Sequence, residues 1–179
     1  MVTIRLERPD EQDTVRQVVG RAFGRELEMC LLDRLRQSPG YLPELSLVAE
    51  EGGDLVGHVL LTRVPVLLPE RGAAEVMMLS PLAVHPEAQG RGIGRALVDA
   101  AADAAEARGD AVILLEGDPA FYRRLGFEPA SAYGIEPPST RIPEHVFQAR
   151  TLSAYEPGMR GAMLYPAAVW ELGAVGPHD

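Results

Sequence analysis

The chain has 179 residues, enough for one domain with a sizeable core, and its 46% hydrophobic and 24% charged residues are those of a globular protein rather than a disordered or fibrous one. A net charge of −9, with arginines dispersed along the chain, excludes the clustered positive charge that a nucleic-acid backbone requires; it fits plain solubility, or attraction of a cationic acceptor. The single cysteine, Cys30, excludes an internal disulfide framework, and no apolar run reaches the length of a membrane span.

From the N-terminus, Val2–Glu7 reads as a strand, and Pro9-Asp10 opens a helix whose Val15, Val18, Val19, Ala22 and Phe23 share one face. A second helix, Glu26–Gln37, carries Leu27, Leu31 and Leu35, and Cys30 among these leucines reads as core. Leu45, Leu47 and Ala49 alternate as in a strand, and Gly52-Gly53 turns the chain into a long strand from Leu55 toward Val66, which Pro65 bends or places at an edge. Residues 75–84, EVMMLSPLAV, form the next strand, with Met77 and Met78 as packing. A helix follows with Ile93, Leu97, Ala100 and Ala104 at helical spacing and an end at Arg108-Gly109. The apolar run from Ala111 to Leu115 reads as a buried strand, and Asp118-Pro119 then starts a short helix that Gly126 ends. Beyond Phe127 the prolines at 129, 137, 138 and 143 give a stiff irregular loop; Pro143-Glu144 opens a short helix through Ala149, and Gly161–Tyr165 is the last strand. Trp170 reads as packing, 1–172 as a single domain and 173–179 as a mobile tail. His58, His85, His145 and His178 show no metal-ligand spacing, so no metal is expected, and His85 before Pro86 reads as a turn residue.

The stretch LAVHPEAQGRGIGRALVDAA, residues 82–101, carries the chemistry. It joins a strand end to Gly90, Gly92 and Gly94 and then directly to a helix. Glycines remove Cβ atoms where a backbone must approach a ligand closely, and a helix start offers unpaired N–H donors and the positive end of its dipole to an anion. Arg91 and Arg95 add charge beside that turn, which makes it a site for a pyrophosphate. The dinucleotide fingerprint fits less well, because the third glycine falls one residue early; a P-loop is excluded by the missing Gly-Lys-Ser/Thr.

The pattern Gln89-Gly90-Arg91-Gly92-Ile93-Gly94 after Leu82-Ala83-Val84 resembles the signature of the GCN5-related N-acetyltransferase (GNAT) superfamily. GDPAFYRRLGFEPA, GIEPP, VFQAR and EPGMRGAMLYP are similar to its bacterial YhbS-like branch, over about residues 2 to 168. The resemblance implies an α/β fold with a mixed central sheet of six to seven strands, helices on both faces, and the fourth and fifth strands parallel and splayed around acetyl-CoA. It implies direct transfer of acetyl to an amine of a small molecule or peptide. The backbone of Leu82, Ala83 and Val84 would pair with the pantetheine arm, Gln89 through Arg95 would hold the pyrophosphate, and Asp118 and Phe121 would line the cofactor. Tyr122, four residues before Gly126-Phe127, would protonate the departing thiolate, as a phenol near pKa 10 can. Asp118 stands where the superfamily often has asparagine.

The general base is not evident: Met78 stands where the histone-modifying branch has a glutamate, and Glu75 falls on the other strand face. A water chain, Glu26, Glu28 and Glu44 stay open. A non-catalytic acyl-CoA binding module and a transferase of longer acyl chains are the rival readings. The N-terminus lacks the layout of a secretion signal, so the expected compartment is the cytoplasm. Neither nucleic acid nor membrane is an expected partner, and a homodimer is among the assemblies left open.

Overall fold

The computed structural model describes residues 1–69 and 71–176. Its strands are β1 (Val2–Leu6), β2 (Tyr41–Glu51), β3 (Asp54–Leu68), β4 (Gly72–Val84), β5 (Val112–Glu116), β6 (Glu128–Pro129), β7 (Ile135–Glu136), β8 (Phe147–Thr151) and β9 (Gly161–Met163). The helices are α1 (Gln12–Phe23), α2 (Leu27–Arg36), α3 (Ile93–Arg108), α4 (Pro119–Tyr122) and α5 (Ala167–Glu171). The described strands form one mixed nine-stranded sheet in the order β1-β2-β3-β4-β5-β8-β6, with β9 pairing β3 and β7. Six strands have five or more residues, in line with the expected six to seven; β6, β7 and β9 are short additions. The chain forms two compact units, one of Met1–Thr62 with Leu79–Ala105, the other of Arg63–Met78 with the chain from Glu106 onward.

In the first unit β1, β2 and β3 pair antiparallel. Gly52 and Gly53, at φ 63° and 94°, make the two-residue turn between Glu51 and Asp54, a conformation that needs positive φ at both positions. Leu45 through Ala49 are all buried, so both sheet faces are covered there, where the sequence pattern showed only one. Alternation at Gly57 and His58 shows what covers each face. A Cβ on Gly57 would stand 2.9 Å from Leu97 of α3, and His58 on the opposite face meets Glu7, which Arg36 of α2 holds. Leu97 is fully buried, a contribution of about 2 kcal/mol. The inward stripe of α3 is Ile93, Leu97, Val98, Ala101, Ala102 and Ala105; Ala100 and Ala104, expected in it, lie half-buried on its flank. In α1 the core residues are Val15, Val18 and Val19, whereas Phe23 at the left-handed Gly24 cap is 39% exposed.

In the second unit β4 and β5 run parallel, joining Met77 to Ile113 and Met78 to Leu114. The expected helix from Pro143 to Ala149 is corrected. Pro143 starts only a turn, accepting from Val146 N–H at 3.1 Å, and the chain then extends as β8, antiparallel to β5 from Glu116↔Phe147 to Val112↔Thr151. A free ladder on β5 outweighs the weak helical signal of the segment, and it buries Phe147, Gln148 and Ala149. Trp170, read as packing, is 47% exposed on α5. From Gly173 onward Val175 is buried, while 177–179, with His178, lie outside the described residues.

Candidate active site

In the first unit β4 ends at Leu82, Ala83 and Val84, of which Ala83 is buried and its neighbours half-buried. His85 donates its N–H to Val56 O at 2.8 Å, and its Nδ1 accepts from Glu87 N–H, so it caps a short 3-10 turn, the turn role expected of it. Beside it a cleft of about 370 Å³ is walled by Arg21, Asp54 and Glu87. Gln89 folds its side-chain amide back onto Val84 O at 3.0 Å, tying the loop to the strand end.

Gly90 and Gly92 follow at φ 72° and 81°, with open space where a Cβ would stand. These two glycines make the curl; Gly94 is already inside α3. The first bond of that helix runs from Ala96 N–H to Gly92 O at 3.0 Å, so the N–H groups of Ile93, Gly94 and Arg95 precede any intrahelical acceptor. Arg91 is held by Glu51 at 2.6 Å and Arg95 by Asp99 at 3.4 Å. Both guanidinium groups are exposed, so neither ion pair withdraws its arginine from solvent.

The second unit holds Asp118, Phe121 and Tyr122. Asp118 caps α4, its Oδ1 accepting from Ala120 N–H at 2.8 Å, and Gly126 closes the following 3-10 turn at φ 79°. Tyr122 is buried, with its ring edge-on to Phe121 at 4.9 Å and to Phe127 at 5.5 Å. Phe121 itself is 37% exposed and so is not part of the core face. A Cβ on Gly117 would collide with the Tyr122 ring, so the absence of a side chain there fixes where the phenol sits. Burial pushes the Tyr122 phenol well above its usual range, and it keeps its proton at any physiological pH.

Among the base candidates, Glu75 is exposed and lies 3.5 Å from Arg63, a strand-start charge; Glu28 is paired with Arg25; Glu26 and Glu44 are exposed. Cys30 is half-buried rather than core, since Leu31, Leu32 and Leu35 take the inward face of α2. Sequence reasoning missed Glu116, the last residue of β5, whose carboxylate accepts from the Tyr165 hydroxyl. Half-burial pushes its carboxyl up to about 7. The signal was a charged residue closing an apolar strand directly before Gly117-Asp118. It also missed a buried cluster in the first unit, where Glu7 meets Arg36, Ser46 and His58. His58 is fully enclosed, burial lowers its pKa so that it stays neutral, and its Nδ1 has no partner among the described residues. No substrate reaches it.

No group of three or more His, Cys, Asp and Glu residues able to hold a metal occurs among the described residues, and none of their helices is long and apolar enough to cross a membrane. Residues 13–127 match the model of the acetyltransferase (GNAT) family. An uncharacterised N-acetyltransferase of Escherichia coli, YjhQ, is 33% identical over 142 residues, 79% of this chain and 78% of that one. The E. coli GNAT-family N-acetyltransferase YhbS, solved in complex with CoA, superposes with a TM-score of 0.84 at 29% identity, covering 93% of this chain and 91% of that one. A Brucella melitensis GNAT acetyltransferase in complex with acetyl-CoA gives 0.73 at 30% identity, covering 94% and 97%. The chain belongs to the acetyltransferase (GNAT) family.

Proposed function

We propose that the protein transfers the acetyl group of acetyl-CoA directly to the amine of a small molecule or peptide. The observation that carries the donor is the turn at Gly90 and Gly92, left-handed and open, feeding a helix whose first N–H groups have no acceptor of their own. Gln89 through Arg95 hold the pyrophosphate, the backbone of Leu82 to Val84 pairs with the pantetheine arm, and Phe121 adds apolar surface for the cofactor. Asp118 acts by capping α4, and its carboxylate is already engaged there. The CoA complexes of YhbS and of the Brucella protein support the same choice of donor.

In the transfer the amine nitrogen bonds to the thioester carbon as the carbon–sulfur bond breaks. Tyr122 gives its proton to the leaving sulfur, and the amide nitrogen loses its surplus proton to water, which restores the phenol. A phenol kept protonated by burial suits that task. Compartment and assembly enter as parts of the same reading, a cytoplasmic enzyme with homodimer among its options.

The test is calorimetric titration with acetyl-CoA of the wild type and of Gly92→Val. Valine at φ 81° is strained and fills the open space, so affinity drops by about tenfold or more. A folded wild-type protein that binds no acetyl-CoA, or a variant that binds as tightly, refutes the donor site.

A further inference from the structure

Glu116 breaks a rule that the other buried and half-buried carboxylates keep among the described residues. Among the described residues, every other buried or half-buried carboxylate lies within 4.0 Å of an arginine, from Glu7 with Arg36 to Glu51 with Arg91 and Asp110 with Arg108. Glu116 is half-buried, lies in no ion pair among the described residues, and takes its hydrogen bond from a neutral donor, the Tyr165 hydroxyl. A carboxylate withdrawn from water without a cation is costly, and in a chain with 17 basic residues its isolation points to a cation brought from outside.

Its surroundings fit such a cation. Tyr165, which bonds Glu116, is flanked by Trp170 with ring centroids 6.2 Å apart, and the Trp170 indole is 47% exposed. Exposed aromatic faces beside a carboxylate recognise an ammonium group. The placement along β5 is equally specific. Gly117 continues the ladder through its N–H to Val146 O and turns its open side to Tyr122; by strand alternation Glu116, opposite Phe147, projects to the other face.

We infer that Glu116, with Tyr165 and Trp170, receives the ammonium group of a primary-amine acceptor and removes a proton from it. This rests on the amine-transfer reading above and supplies the base that the sequence did not reveal. The N–H bond of the ammonium breaks, its electron pair stays on nitrogen, the proton goes to a Glu116 oxygen, and water carries it away. A carboxyl raised by burial to about 7 is a competent base near neutrality.

Trp170 is the chain's one tryptophan and reports on the site directly. Its fluorescence is titrated with 2-phenylethylamine and with the uncharged 2-phenylethanol, in the wild type, Glu116→Gln and Glu116→Asp, while acetyl-CoA binding is followed by calorimetry on the same preparations. The amine gives a saturable change that the alcohol does not. Glu116→Gln weakens it by about tenfold or more, as loss of a charge-assisted bond does, and Glu116→Asp restores part of it. Acetyl-CoA affinity stays within about twofold in all three, as expected for a residue outside the donor loop. An equal response in Glu116→Gln, an equal response to the alcohol, or no saturable response to the amine overturns the inference. Failure of acetyl-CoA to bind the wild type sinks the donor reading instead and leaves the amine titration to decide the Glu116 site.

Discussion

Replacing Glu116 by glutamine should stabilise the protein at alkaline pH and lose that advantage in acid. Half-burial lifts the carboxyl from 4.5 to about 7, so between those values the folded state holds a proton that the unfolded chain has released. Stability of the wild type therefore falls as pH rises through this window and stays lowered above it. Undiscounted, the shift corresponds to roughly 3 kcal/mol at about 1.4 kcal/mol per pH unit; because the group is open to solvent on one side, we take about 1–2 kcal/mol. Glutamine keeps an oxygen for the Tyr165 hydroxyl and cannot ionise, so the comparison isolates the charge. Urea unfolding of both proteins at pH 5 and pH 8 measures it. The gap between variant and wild type widens by about 1–2 kcal/mol from the lower to the higher pH, or by roughly 2–8 °C in Tm for a chain of this size. Other titrating groups, Glu7 and His58 included, are common to both proteins and cancel. A gap that is the same at the two pH values, or that narrows as pH rises, refutes the reasoning.

Tyr122→Phe keeps the ring packing against Phe127 and removes only the proton, so turnover falls by about 10²-fold or more while acetyl-CoA affinity holds; single-turnover kinetics beside calorimetry separate the two. Gly117→Ala pushes a methyl into the Tyr122 ring, which should destabilise by about 1–3 kcal/mol and lower turnover through displacement of the phenol; an unchanged melting point and rate would show that the ring gives way freely. Arg5 holds the Glu11 carboxyl at about 2, so this stability is present above the ordinary 4.5 and lost as pH falls through about 2. Arg5→Ala should therefore move the acid-unfolding midpoint to higher pH, read by far-UV circular dichroism, and an unmoved midpoint would refute that role.

The two segments whose form is set by local backbone demands were legible from residue types. Glycine at 90 and 92 before a helical repeat, and Asp118-Pro119 before Tyr122, constrain the chain locally, and each forms the turn and cap its residues demand. What escaped the sequence was decided by distant partners. Nothing within residues 143–151 says that β5 offers a free edge, so the local signal alone favours a helix from Pro143 through Ala149, across the start of β8. Nothing near His58 says that Glu7, Ser46 and Arg36 converge on one buried spot from 12 to 51 residues away. Glu116 was hidden in the same way: its identity is plain, but its lack of an arginine is a property of three dimensions, visible only beside the ion pairs of the other buried and half-buried carboxylates among the described residues.

In the proposed transfer, that lack also lets an acid on α4, Tyr122, and a base at the end of β5, Glu116, keep separate proton states. A carboxylate on the same face as Tyr122 would accept the phenol's hydrogen bond, and each group would be tied to the other. Gly117 prevents this by giving its face to the Tyr122 ring and turning Glu116 away. The phenol keeps its proton by burial, while the carboxylate stays open to a cation because no arginine has claimed it. An arginine beside Glu116 would stabilise the fold and cancel the charge that an ammonium needs. The stability forgone there is the quantity that the glutamine variant measures, which ties the unfolding experiment to the binding experiment through a single oxygen pair.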